Sequence, residues 1–218
     1  LFALETLKDL VLSGDAATLE RGGRLPQPVT VGALVERRLG QLSAEALRLV
    51  RVAALAGAEF SAELAAEVLE AHPLDIAEPW RELEAAQLLR GGVFAHDLIF
   101  ETALASVPLP IARLLHKRIA LHLAARAVLP ERTAPHWAGA GEWQRAGEAY
   151  VAAARRAQGA SQRSHEVECW SRAAAAFDEA GAADAAFDAR CESIHALIVV
   201  RGVTQANAAI EALLGAAR

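Results

Sequence analysis

Alanine constrains this chain more than any other residue. Apolar residues make up 54% of it and aromatics only 5%, and much of the difference is alanine, in runs such as Ala173-Ala174-Ala175-Ala176. Alanine has the strongest helix propensity of all residues, while the β-branched and aromatic residues that favour strands are sparse here. The expectation is an all-α fold. At 218 residues the chain can bury a sizeable core as one large domain or two small ones.

Charge narrows the range of partners. The formal net charge is −5 and the isoelectric point about 5.8. A dedicated nucleic-acid-binding domain is usually basic, with its charge gathered on one face. Arg37-Arg38 and His116-Lys117-Arg118 are basic clusters, and both read as solvated helix faces. No direct nucleic-acid contact is expected. No apolar run reaches the roughly 18 residues of a membrane span, and no signal-peptide pattern is present, so a cytoplasmic location is expected. Cys169 and Cys191 lack CxxC spacing and read as buried free thiols of a reducing compartment. Methionine is absent and helical patterns open and close the sequence, as expected of a fragment cut at both ends.

Apolar spacing and caps divide the chain into helices. The spacing of Leu4, Leu7 and Val11 predicts a helix over 1–12, followed by a Gly/Pro loop over 20–28. Further helices are predicted over 30–41, over 44–56 with Ser43 as N-cap and Gly57 as stop, over 61–71 with Ser61 as cap, and over 76–89 with Asp75 as cap. Gly91-Gly92 inside an apolar stretch marks a tight β-hairpin, after which Asp97 caps a helix to about 107. A long helix over 110–128 follows. Short helices with a two-stranded wing make a winged-helix-like module.

Beyond Pro130 the helices lengthen and pair as 131–138 with 142–158, then 161–180 with 183–201, with another starting near 204. The turns fall at Gly139-Ala140-Gly141, Gln158-Gly159 and Ala180-Gly181. Trp137, Ala146, Tyr150 and Ala153, echoed by Ala173, Phe177 and Ala180, have the small/aromatic spacing of antiparallel helical-hairpin, tetratricopeptide-like repeats, although the second pair exceeds the usual unit of about 34 residues. A solenoid needs small residues at helix crossings and aromatics in the grooves. A generic helical bundle would carry similar patterning.

Catalytic motifs are lacking. There is no GxxxxGK[ST], GxGxxG or GxSxG, and His165-Glu166 begins an HExxH whose second histidine is replaced by Cys169. His116 and His122, six apart, are a poor same-face pair, and His136 and His195 read as packing or surface residues. Glu63, Glu67 and Glu70 read as solubility charges. No metal site, no catalytic residue and no cofactor of the fragment itself is expected.

One segment is more specific. Phe94-Ala95-His96-Asp97-Leu98-Ile99-Phe100-Glu101-Thr102-Ala103-Leu104, continuing through Pro108, Arg113 and Leu115-His116-Lys117-Arg118-Ile119-Ala120, resembles the stretch that follows the ATPase core in STAND-class, AAA-like transcriptional regulators of the LuxR-type and SARP-like groups, related to the maltose regulator. Leu1-Phe2-Ala3-Leu4-Glu5 resembles the end of that family's ATPase lid, and residues 25–43 its connector. The chain departs from the family pattern at Phe100, Thr102 and Leu104, where arginine, alanine and tyrosine are more usual.

The resemblance implies the end of an ATPase lid and a linker over 1–24, a winged-helix-like module over 25–128 and truncated tetratricopeptide-like repeats over 129–218. The family's Walker elements lie upstream, so the fragment would not hydrolyse ATP, although ATP or ADP is implied for the longer protein. By the same resemblance His96 would contact ADP phosphates there; read without it, His96 is a residue at the base of the hairpin. The repeats would bind a protein partner, a second copy or a small-molecule inducer. The competing expectation is a stand-alone interaction scaffold with no nucleotide link.

Overall fold

The computed structural model describes residues 31–201 without a break, together with 207, 210, 211 and 215. The helix expected over 1–12, the loop over 20–28 and most of the helix expected from 204 lie outside the described residues. Among the described residues are ten α-helices, two 3₁₀ turns and one two-stranded sheet. The α-helices and strands are α1 (Val31–Gly40), α2 (Ala44–Ala56), α3 (Ala62–Leu69), α4 (Ala77–Ala85), β1 (Leu89–Arg90), β2 (Val93–Phe94), α5 (Asp97–Ala105), α6 (Leu109–Ala125), α7 (Pro130–Gly139), α8 (Trp143–Gly159), α9 (Arg163–Glu179) and α10 (Ala183–Arg201). The fold is all-α with a single short hairpin.

Helix α2 is the centre of the first body. The Ser43 hydroxyl accepts from the Ala46 amide at 3.1 Å, and Glu82 of α4 accepts from the Ser43 amide and hydroxyl at 2.7 and 2.5 Å. This doubly held start lets α2 run buried on most sides, with Leu49 and Val50 fully enclosed. One side packs on Leu83, Leu88, Leu89, Ile99 and Ala103; the other, through Val52 and Leu55, meets Leu64, Val68, Ile119 and Leu123. The wing pairs Leu89 with Phe94 and Arg90 with Val93. Gly91 and Gly92 turn it at φ +57° and +84°, a conformation glycine adopts without steric cost. Trp80, stacked on Phe60 with ring centres 5.2 Å apart, lies in contact with the Gly92 position.

Two caps differ from expectation. Asp97 is the first helical residue of α5, and the cap position belongs to His96, extended at φ −152° and ψ 147° with no side-chain cap bond. Asp97 acts instead as a first-turn charge on the positive end of the helix dipole. Asp75 lies inside a 3₁₀ turn (Pro73–Ile76) whose entry is capped by His72, because the Leu74 amide donates to its Nδ1 at 3.2 Å. Helix α4 also stops at Ala85, four residues early, since Gln87 takes φ +54°.

The second body is a stack rather than two separate pairs: α8 packs on both α7 and α9, and α9 on both α8 and α10. Helices α8, α9 and α10 start at 143, 163 and 183, so helix and turn recur every twenty residues. A two-helix unit is therefore about 40 residues, longer than the roughly 34 of a tetratricopeptide unit. The core is mostly alanine, filled by Trp137, Tyr150, Trp170 and Phe177.

Candidate functional site

Helix α6 belongs to both bodies. Ile119 and Leu123 sit in the core shared with α2 and α3, whereas Ala120 sits in the core of the repeats. Helical periodicity separates these faces by about a hundred degrees per residue, so adjacent positions serve different cores. Its polar residues follow the same division, and here the sequence expectations need correction.

Glu63, Glu67 and Glu70 on α3 and at its end are not merely solubility charges. They oppose Arg118 and His122 of α6 and Arg126, the residue that caps its C-terminus. Arg126 donates to Glu63 at 2.6 Å, and Arg118 pairs with Glu70 at 2.7 Å while also donating to the Val68 carbonyl at 2.9 Å. His122 is buried, but its Nδ1 stands 3.7 Å from Glu67, beyond hydrogen-bond reach. Spacings of four and three along Glu63, Glu67 and Glu70, and of four and four along Arg118, His122 and Arg126, place all six on facing stripes. No signal in either helix alone indicates this seam; only their packing brings it together.

In the trio His116-Lys117-Arg118 the two cations are exposed, as expected of a solvated face, but each is paired. Lys117 donates to Glu142 at 2.5 Å, Arg118 joins the seam, and the Nδ1 atoms of His116 and His136 approach to 3.0 Å. Three consecutive residues thus tie α6 to the turn before α8, to α3 and to α7. His136 is buried, and Gly139 lies against the other imidazole: a Cβ there would come within 2.6 Å of the His116 ring. Burial pushes His116 below the usual histidine range; burial, and then the neighbouring His116, push His136 down to about 4. Sequence reasoning compared His116 with His122 on one helix and missed the partner across the bend.

His165 and Cys169 do share a helix face, with Sγ 3.6 Å from Nε2. The thiol is buried and pushed up to about 11, mainly by burial and then by Glu168, so it stays protonated and inert as a nucleophile. Cys191 corrects the expectation of two buried thiols: it is free and exposed on α10. Among the described residues no three His, Cys, Asp or Glu side chains gather as a metal site.

His96 is exposed, between β2 and α5. Arg38 donates to the Ala86 carbonyl at 2.6 Å and so helps to close the first body. No single helix among the described residues is long and apolar enough to cross a membrane; α5 and α6 together reach that length and composition but bend by 112° between them. No family model, curated protein or solved structure matches the chain.

Proposed function

We propose that this chain is the non-catalytic regulatory middle of a cytoplasmic, STAND-type ATP-dependent transcriptional regulator, coupling nucleotide state in the first body to partner or inducer binding by the repeats. The observation that carries the reading is the double membership of α6. A rigid helix with one face in each core transmits a displacement of either body to the other, as coupling between two sites requires. The exposed His96 at the start of α5 supports the nucleotide side, because an imidazole N–H there can donate to a phosphate oxygen brought against it.

Calorimetric titration of ATP and ADP with magnesium into the chain, beside a hydrolysis assay, tests the non-catalytic part. Absence of binding and turnover is expected; micromolar binding or hydrolysis overturns it. In the longer protein, His96→Ala is expected to speed ADP release, and unchanged release removes the sensor.

One observation favours an interaction scaffold with no nucleotide link. Leu109, Ile111, Leu114 and Leu121 are exposed along α6, an aliphatic surface suited to a protein partner. On that reading partner binding survives His96→Ala unchanged.

A further inference from the structure

The imidazole pair His116–His136 has no part in the function proposed above, yet the chain is shaped around it. Gly139 leaves the space the His116 ring occupies, and His136 is buried beside Trp137. The two Nδ1 atoms at 3.0 Å are at hydrogen-bond distance, so one must carry a proton and the other must offer a lone pair. The rings therefore hold opposite tautomers, or one is an imidazolium donating to its neutral neighbour. If each Nδ1 carries its own proton, two donors face each other and the contact cannot persist.

We propose that this pair is an acid-operated latch between the two bodies, closed while the facing nitrogens share one proton and opened when each ring holds its own. The inference stands on the packing of α6 against α7 and not on the ATPase reading.

The surroundings leave that repulsion uncompensated. On α6, Arg113 lies one turn back, Lys117 is committed to Glu142, and His122 faces Glu67 of α3. On α7, Glu131 lies near Arg156 of α8, and Arg132 is bound to Glu59. Arg145 of α8 covers the Trp137 ring. None of these groups hydrogen-bonds either imidazole, so no carboxylate is placed to accept the second proton's charge. The low proton affinity of both rings agrees with this and places opening well below neutrality. Two titrations so coupled belong to the pair rather than to either ring.

Opening would separate α6 from α7, where Ala120 meets Ala134 and Trp137 in the core of the repeats. The test is amide hydrogen exchange on the whole chain at pH 7.5 and pH 4.5, with intrinsic rates corrected. Protection of α7 is expected to fall at least about ten-fold more than that of α2, and His136→Gln is expected to remove that excess. Equal loss in α7 and α2, or the same excess in the variant, overturns the latch. Should His136→Gln fail to fold at pH 7.5, His116→Gln breaks the same contact from the other helix. In the unmodified chain, nuclear magnetic resonance titration of the two rings reads the pair directly. Protonation of one ring far below the ordinary histidine value supports the latch; two independent titrations near that value refute it.

Discussion

Two glycines of helix α8 look alike in the sequence and differ in what surrounds them. At Gly147 an added Cβ would lie 2.5 Å from the Phe177 ring, which is itself buried between α8 and α9. Gly147→Ala is expected to lower stability by about 1–3 kcal/mol, the usual cost of overfilling a packed core, as urea unfolding would measure. At Gly159, the last residue of α8, nothing lies within 4 Å and φ is not positive. Gly159→Ala is expected to be neutral or to stabilise by up to about 1 kcal/mol through helix propensity. Equal effects at the two positions would mean that the α8–α9 spacing is looser than described. Neither difference is legible in sequence, because a glycine reports only that a side chain is missing and not what stands in its place.

Among the elements, six helix ends share one device. After α3, α4, α6, α7, α8 and α9 the chain takes a left-handed residue, and two amides reach back to carbonyls of the last turn; Glu142 and Gly141, for example, donate to Trp137 and Ala138. This is the Schellman closure, for which glycine is the favoured left-handed residue. Only Gly141 and Gly181 meet that preference; Glu70, Gln87, Ala127 and Ser161 fill the other four. The glycine-marked ends were therefore legible, as was the Gly57 stop. The end of α4 was placed four residues late and the turn after α8 was assigned to Gly159, because a left-handed glutamine or serine leaves no mark in the sequence.

The hairpin was legible for the same reason that those ends were not, since both of its turn residues are glycine. Ser161 is equivalent to Gly141 and Gly181 at the twenty-residue spacing, so Ser161→Gly is expected to raise stability by about 1 kcal/mol, the cost of a left-handed non-glycine residue. Thermal unfolding checks it; an unchanged or lower midpoint would show that Ser161 gains something there that the backbone does not reveal.

For the molecule as a whole, the pairing of carboxylates sets the response to strong acid. Glu63 is held below the usual carboxylate range by its hydrogen bond to Arg126, Glu82 by Ser43, and Glu142 by Lys117. Their folded values lie below their unfolded ones. The stability they contribute is therefore whole above about pH 4.5 and drains away as pH falls through the folded values. Chemical denaturation followed from pH 6 to 3 should show stability falling below pH 4.5, and Glu63→Gln should remove part of that fall. Because the seam is exposed, the variant's deficit at neutral pH should be small and should vanish in molar salt.

The sharing of α6 between two cores also bears on how such a chain can be divided. The sequence suggested a boundary near residue 128, where composition changes. A crossover there would leave α7 without Ala120 and its histidine partner, both of which would stay behind on α6 with α3. A graft of the repeats onto another protein would have to carry α6 with it, and α6 and its cap bring two arginines, Arg118 and Arg126, whose carboxylate partners Glu70 and Glu63 lie at the end of α3 and within it. What can be exchanged intact is thus larger than a repeat and overlaps the body before it, so recombination within this chain is constrained by a helix that neither half can give up.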